Sequence, residues 1–147
     1  MATDAQTICL EVTTPTGWAV EKLEVSSVQA PSIFGEFGVL PGHLPLLVAL
    51  KAGPLHYVIN GEIHHAAMGG MGYAQVERDP GGSDKVRILT EFFQRPEDVD
   101  IEAAQADLEA AVANLKAAST EDVDRSSLER DEAWARARIA IAAHVAN

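Results

Sequence analysis

The first 93 residues contain short apolar runs that alternate with turn signals, a pattern typical of β-strands. The clearest turn signal is Asn60-Gly61, which lies between two such runs and predicts a tight hairpin. A longer loop, residues 79–84, predicts a second hairpin. The runs cover residues 8–14, 18–30 (long enough for two strands), 46–50, 55–59, 62–67, 73–78 and 86–93. The pattern predicts an all-β sandwich or barrel of about ten strands.

After Arg95-Pro96 the apolar positions recur every three or four residues, which predicts a helix that Asp98 or Asp100 can cap. Its apolar seam consists of Ile101, Ala104, Leu108, Ala111, Leu115 and Ala118. A second helix follows a short connection, with Leu128, Ala135, Ile139 and Ala142 on one face. Short connections make helices antiparallel neighbours. The sequence therefore predicts an α+β protein, with an N-terminal sandwich in residues 1–95 and a C-terminal antiparallel two-helix hairpin in residues 96–147.

Alanine dominates the seam of this hairpin. An alanine buries little area, so each contact contributes far less than the roughly 1.5–3 kcal/mol of a fully buried leucine. Short helices are also marginal on their own in water. We therefore expect the hairpin to be weakly held and able to detach without unfolding the β domain.

The net charge of −11 disfavours nucleic acid and anionic lipid as partners, because phosphates would be repelled. Acidic residues exceed basic ones by ten to six in residues 1–95 and by twelve to five in residues 96–147, which supports a boundary near residue 95. Cys9 is the single cysteine, so an intramolecular disulfide and a cysteine-rich metal site are excluded. No run reaches the roughly 20 apolar residues of a membrane span, so we expect no direct membrane insertion.

Residues 35–47 form the most distinctive stretch of the chain, with three glycines and two prolines among apolar residues. Glycine permits backbone conformations with positive φ and proline fixes φ near one value, which predicts a shaped loop. Its phenylalanine, valine and four leucines are expected to serve a core. Only Glu36 and His43 are ionisable here, and on residue type alone they are a solvated turn residue and a satisfied loop residue. The segment is therefore expected to present a surface without catalysing a reaction.

Other candidates for chemistry are few. Neighbouring strand residues such as His64 and His65 point to opposite faces, and His56 can share a face with one of them. The glycine-rich residues 68–72 could cradle a phosphate, but no helix or lysine follows, so close backbone packing at a sheet corner is the better interpretation. No catalytic motif is present, and we expect neither a metal nor a cofactor.

The stretch Gly35-Glu36-Phe37-Gly38-Val39-Leu40-Pro41-Gly42-His43, followed by Leu50-Lys51-Ala52-Gly53-Pro54-Leu55, resembles the signature loop of the epsilon subunit of F-type ATP synthases, bacterial or chloroplast. The resemblance extends from about Ile8 to the C-terminus and is sharp between Gly35 and Gly53. It implies a non-catalytic central-stalk subunit that links gamma to the c-ring for rotary coupling and ATP synthesis. Its place would be the cytoplasmic face of a bacterial inner membrane, as a peripheral subunit, in preference to a chloroplast thylakoid.

The resemblance also implies a rotor interface. Glu36 and His43 would face the gamma subunit or the c-ring. The family commonly has Pro-Gly-Ser-Glu before the signature, where this chain has Pro31-Ser32-Ile33-Phe34. Ile33 and Phe34 are therefore expected to add an apolar contact to that interface.

For the C-terminal hairpin, the resemblance implies restraint of ATP hydrolysis through transient contact with the alpha and beta catalytic subunits. The candidate contact residues are Arg125, Arg130, Arg136 and Arg138, and their acidic neighbours predict modest inhibition. Some relatives bind ATP between these helices. Here Asp100 and Arg136 match that motif, whereas Ala103 and Ala140 replace its other cationic positions, so tight nucleotide binding is not expected.

A different class of function is the alternative. The chain could be a free-standing small-molecule binding module with a helical appendix, whose pocket would open near His43, His56 and His65. Binding to gamma would distinguish the two hypotheses.

Overall fold

The computed structural model describes residues 6–43, 45–78, 83–118 and 124–144. In this part of the chain eight strands precede two helices, which confirms the α+β class and the two-helix ending. The strands are β1 (Ile8–Thr14), β2 (Gly17–Val25), β3 (Ser27–Ser32), β4 (Gly35–Val39), β5 (Leu46–Leu50), β6 (Gly53–Ile59), β7 (Glu62–Arg78) and β8 (Asp84–Gln94). A 3₁₀ turn (Pro96–Asp98) leads to α1 (Ile101–Ala117) and α2 (Arg125–Ala142).

The strands form one continuous ladder that folds over a shared core. Their order is β2-β1-β8-β7-β5-β3-β4, and β6 pairs with both β3 and β7. Only β1 and β8 run parallel among the pairs of described strands. The aliphatic interior includes Ile8, Leu10, Val12, Val25, Val28, Leu55, Met68, Val86 and Ile88, each at most 2% exposed. The result is a β-sandwich, as the alternating apolar runs predict.

Two details of the strand prediction were wrong. Residues 62–67 and 73–78 were expected as separate strands, but they are the two ends of β7. Residues 35–39 were expected as loop, yet they form β4 and pair with β3 along their whole length. The count is therefore eight described strands, where about ten were expected.

The glycine-rich middle of β7 allows the strand to bend and change partners. Before it, β7 pairs with β6, and after it with β5, while the register with β8 shifts between Gly69 and Gly72. A Cβ on Gly72 would lie 2.2 Å from the Leu89 carbonyl oxygen, so no other residue fits without moving backbone. Close backbone packing at a sheet corner is thereby confirmed, and a phosphate cradle is not formed, since the strand continues.

The helices pack as an antiparallel pair. Asp100 caps α1 by accepting a hydrogen bond from the Ala103 N–H at 3.2 Å, as one of the two predicted caps. Arg138 near the end of α2 reaches Asp107 early in α1 at 2.8 Å. In the predicted seam Ala104 and Ala111 are buried, whereas Ile101 is 40% exposed.

The second helix also docks on the β domain, against β6 and β7. Ala67 of β7 and Ala137 and Ile141 of α2 form a small buried cluster with the partly buried Val99 and Trp134. The sequence pattern predicts one apolar face on the second helix, and that face does not include Trp134, Ala137 or Ile141. In the structure α2 has a second apolar face, formed by these three residues, which contacts the β domain. The hairpin is thus attached through α2 by a cluster separate from the main core.

Candidate functional site

Ile33 and Phe34 occupy the two-residue turn between β3 and β4, and we call them the apolar lip. Their side chains are 53% and 87% exposed. The buried Ser32 hydroxyl donates to the Gly35 carbonyl at 2.6 Å and accepts from the Phe34 N–H at 3.1 Å. The Ile33 N–H donates to the Ala49 carbonyl on β5 at 3.1 Å. The lip is therefore displayed to solvent from a hydrogen-bonded base.

Glu36 and His43 lie near the two ends of the signature stretch, residues 35–43, which contains β4. The Glu36 carboxylate is exposed and accepts a hydrogen bond from the Gln29 amide at 2.9 Å. The half-buried His43 follows Gly42, whose φ of +88° favours glycine and whose N–H donates to the buried Asp84 carboxylate. Asp84 thus fixes the turn to the start of β8. The geometry shapes a surface and assembles no reactive group.

The lip continues into a larger apolar surface, formed by Ile33, Leu47, Ala49, Met71 and Tyr73. Leu47 is 68% and Met71 66% exposed, and Tyr73 is 44% exposed. A groove of about 500 Å³ connects Ile33, Ala49 and Met71 and is closed on its far side by α2. On β5 the outward residues are Leu47 and Ala49, so both faces of this strand are apolar.

Part of this surface contradicts the expectation that the signature segment feeds a core. Phe37 and Val39 do pack in the core, but Leu40 and Leu47 are 64% and 68% exposed and Leu46 is 36% exposed. Leu44 lies outside the described residues. A signal was present in the sequence: β5 reads Leu-Leu-Val-Ala-Leu, without the polar alternation that a strand with one solvated face normally shows.

The four candidate arginines of α2 have different surroundings. Arg125 reaches Glu129 at 3.4 Å and the Leu115 carbonyl at 3.4 Å, and Arg136 pairs with Glu132 at 2.8 Å. The Arg138 side chain is only 10% exposed, pairs with Asp107 and lies over the Trp134 ring. Arg130 is exposed beside the groove and makes no ion pair with the residues that the structure describes. In the docked hairpin Arg130 is thus exposed and, unlike the other three, makes no ion pair among the described residues.

The two residues that match a nucleotide motif are engaged locally. Asp100 caps α1, and Arg136 pairs with Glu132 on its own helix. No hydrogen bond or ion pair joins Asp100 to Arg136 in the described part of the chain. The gap between the helices is instead bordered by Asp107, Asp131 and the buried Arg138. Two carboxylates at this position disfavour a phosphate.

Three imidazoles meet where α2 ends on the β domain. His56 Nδ1 lies 2.8 Å from His65 Nδ1, and the His65 ring stacks on the His144 ring with a centroid distance of 3.8 Å. His64 points away and stacks on Tyr57, as the strand period predicts. Burial lowers the pKa of His65, and the neighbouring His144, His56 and His64 lower it further. No group of three or more ligating side chains in the described residues has a geometry that could hold a metal ion.

The pocket of the alternative hypothesis is not assembled. His56 and His65 do come together, but His43 follows Gly42, which contacts the start of β8, whereas Ala67, two residues after His65, pairs with the end of β8. About ten strand residues, or roughly 30 Å, separate those ends. The three histidines therefore cannot line one small-molecule site.

No helix in the described residues combines the length and the apolar character required to cross a membrane.

Comparison with known proteins identifies the β domain directly. Residues 7–96 match the family model described as ATP synthase, Delta/Epsilon chain, beta-sandwich domain, which is more than half of the chain.

Curated relatives agree with the family model. An ATP synthase epsilon chain from Nitratidesulfovibrio vulgaris is 43% identical over 96 residues, covering 65% of this chain and 66%, just under two thirds, of that relative. The epsilon chain from Geotalea uraniireducens is 38% identical over 130 residues, covering 86% of this chain and 89% of the relative.

Two solved structures share the fold over nearly the whole chain. A chain of the Euglena gracilis mitochondrial ATP synthase, in a structure of OSCP, F1 and the c-ring, has a TM-score of 0.75 and 24% identity, with 95% of this chain and 83% of that chain covered. A chain of the Tetrahymena thermophila mitochondrial ATP synthase, in a structure of the central stalk and c-ring, has a TM-score of 0.59 and 13% identity. The match covers 99% of this chain and 100% of that chain. Sequence motif, family model and relatives converge: the chain belongs to the ATP synthase epsilon-chain family.

Proposed function

We propose that this chain is a non-catalytic central-stalk subunit that joins the gamma subunit to the c-ring of a proton-translocating ATP synthase. Family membership supports this role, and so do the assemblies from which the structural relatives come, a c-ring complex and a central stalk. Residues 1–95 would form the rotor-binding domain and residues 96–147 a regulatory hairpin. The small-molecule module is set aside, because its histidines do not converge.

The observation that carries this proposal is the apolar lip on its hydrogen-bonded hairpin. The Phe34 side chain is 87% exposed. Exposing this much aromatic surface to water is unfavourable, and it is typical of a site that a partner covers. Aromatic anchors on a preorganised loop are the groups that contribute most to protein interfaces, since little entropy is lost on binding. Glu36 lies two residues after the lip and would contribute a polar contact at its rim, whereas His43 lies beyond the far end of β4 and would contact a partner away from the lip.

Co-purification tests the interface. The chain is expressed with gamma and the c-ring, and the double variant Ile33→Ser with Phe34→Glu is compared with Ile63→Ser, which changes an apolar side chain that is 62% exposed on the β6–β7 hairpin. Loss of a buried aromatic anchor typically costs 2 kcal/mol or more, so we expect roughly 30-fold weaker recovery of the double variant and normal recovery of the control. Equal recovery of both variants would remove the lip from the interface.

The C-terminal hairpin is proposed to restrain ATP hydrolysis through transient contact with the catalytic subunits. Arg130 is accessible in the docked hairpin, whereas Arg138 is buried and paired with Asp107 of α1. The hairpin carries a net negative charge, so its attraction to an acidic partner is weak. We expect deletion of residues 97–147 to raise membrane ATPase activity by less than about tenfold, equivalent to about 1.4 kcal/mol of barrier. A larger increase would contradict the modest role.

The proposed location is the cytoplasmic face of a bacterial inner membrane, where the chain would be held as a peripheral subunit by its partners. The curated relatives named above come from bacteria. Fractionation tests this: the chain should sediment with membranes that contain the whole enzyme and be found in the supernatant when gamma is deleted.

A further inference from the structure

The contact between α2 and the β domain includes a cluster of imidazoles that the proposed rotor and inhibitory roles do not use. His144 lies in the turn that follows α2, where its backbone N–H donates to the Ile141 carbonyl at 2.9 Å. Its ring stacks on His65 of β7, and the rings are inclined by only 22°. This stack lies beside Ile141, a member of the small cluster that docks the hairpin.

The geometry of the docked cluster disfavours two charged rings at either of its contacts. The Nδ1 atoms of His56 and His65 are 2.8 Å apart, so one must donate and the other accept, and two protonated rings could not form this bond. Two imidazolium rings at the 3.8 Å centroid separation of His65 and His144 would repel each other at close range. Neutral rings satisfy both contacts.

Charges on the surrounding elements do not offset this effect. The elements that pack on α2 are β6, β7, α1 and the 3₁₀ turn. On β6 and β7 the titratable groups at or next to the cluster are His56, Tyr57, His64 and His65, and the other titratable residues of β7 are Glu62, Tyr73, Glu77 and Arg78. On α1, Asp107 is paired with Arg138 of α2, and in the 3₁₀ turn Glu97 and Asp98 are exposed. The charges that act on His65 all belong to imidazoles.

We propose that the cluster of His56, His65 and His144 is a pH-sensitive latch, which holds the hairpin on the β domain when its rings are neutral and releases it when they become protonated. Histidine is the side chain whose ordinary pKa, about 6.5, suits a switch near neutral pH. The latch goes beyond the proposed inhibitory role and requires only the isolated chain.

The sign of the effect follows from linkage. The pKa of His65 is lowered in the docked state by burial and by His144, and both influences diminish when α2 leaves. The released state therefore binds protons more readily than the docked state. Docking is at full strength above the ordinary pKa of about 6.5 and weakens as the pH falls below it, by up to about tenfold in the docked-to-released ratio per pH unit for one proton.

The test uses the full chain with Trp18→Phe, which leaves Trp134 as the single tryptophan. Trp134 is partly buried at the docking contact and stacks on Phe92, so release should increase its quenching by acrylamide. We expect quenching to increase between about pH 7 and pH 5.5, while circular dichroism shows the β domain intact.

Two variants decide the origin of the change. His144→Phe keeps a stacking ring but cannot be protonated, so repulsion between this position and His65 is removed and the rise in quenching over the same range should be clearly smaller than in the parent. His64→Gln removes a histidine that lies on the other face of β7, and it should respond as the parent does. Constant quenching in the parent, or an unchanged response in His144→Phe, would overturn the latch. Because gamma and the c-ring are absent, neither result depends on the proposed rotor role.

Discussion

The β domain and the docked helix α2 are both held by apolar contacts, but on very different scales. The main core joins seventeen buried side chains among the described residues, with isoleucine, leucine and valine predominating. The docking cluster joins three, of which two are alanines. Since a buried isoleucine or leucine contributes about 1.5–3 kcal/mol and an alanine far less, we expect the first contact to maintain a fold and the second to permit a reversible association.

The largest expected effect concerns the main core. Ile88→Ala on β8 empties a position that is 0% exposed, and we expect a loss of about 2–5 kcal/mol in the free energy of unfolding, because a cavity remains. Urea denaturation followed by circular dichroism measures this loss. The surface control Ile63→Ala should change stability by less than about 0.5 kcal/mol.

Ile141→Ala makes the same chemical change in the docking cluster and provides a sharper comparison. It should loosen the hairpin, seen as increased quenching of Trp134, and leave the unfolding transition of the β domain in place. If Ile141→Ala lowered the stability of the β domain as much as Ile88→Ala, the two contacts would be one cooperative core and the comparison would fail.

A smaller effect is expected from Gly69, which lies under Trp134. A Cβ at this glycine would lie 2.5 Å from Trp134 Cε3, so Gly69→Ala should push α2 away at a cost of about 1–3 kcal/mol to docking. Quenching of Trp134 measures the displacement. Gly38→Ala is the matched control, because its nearest neighbour, the Val28 carbonyl oxygen, lies at 3.9 Å. Equal quenching in both variants would show that Trp134 does not rest on Gly69.

Much of the fold could be predicted from the sequence, because local patterns determine it. Alternation located most strands, Asn60-Gly61 located the β6–β7 hairpin, and Asp100 was one of the two predicted helix caps. The errors arise where one segment serves two partners. The bend at residues 69–72 joins two predicted strands into β7, since glycines permit a strand to continue through a corner.

The candidate surfaces were less predictable for a related reason. The lip was found through its family resemblance, whereas the exposure of Leu47 and Met71 depends on which face of β5 and β7 meets the core. The second apolar face of α2 and the contact of His144 with His65 join residues that are far apart in sequence. Periodicity describes one helix or strand at a time and carries no information on such pairings.

The smallest predicted effect separates two ion pairs of equal length within the hairpin. Arg138–Asp107 and Arg136–Glu132 both measure 2.8 Å, but the Arg138 side chain is 10% exposed and that of Arg136 is 59% exposed. Asp107→Asn should cost about 1 kcal/mol of helix packing, since it leaves a buried guanidinium without its counter-charge, although Asp107 itself is half in solvent. Glu132→Gln should cost at most a few tenths of a kcal/mol, as for other exposed helix pairs. Amide hydrogen exchange in α1 and α2 measures both, and equal effects would show that burial of Arg138 adds nothing to the strength of its pair.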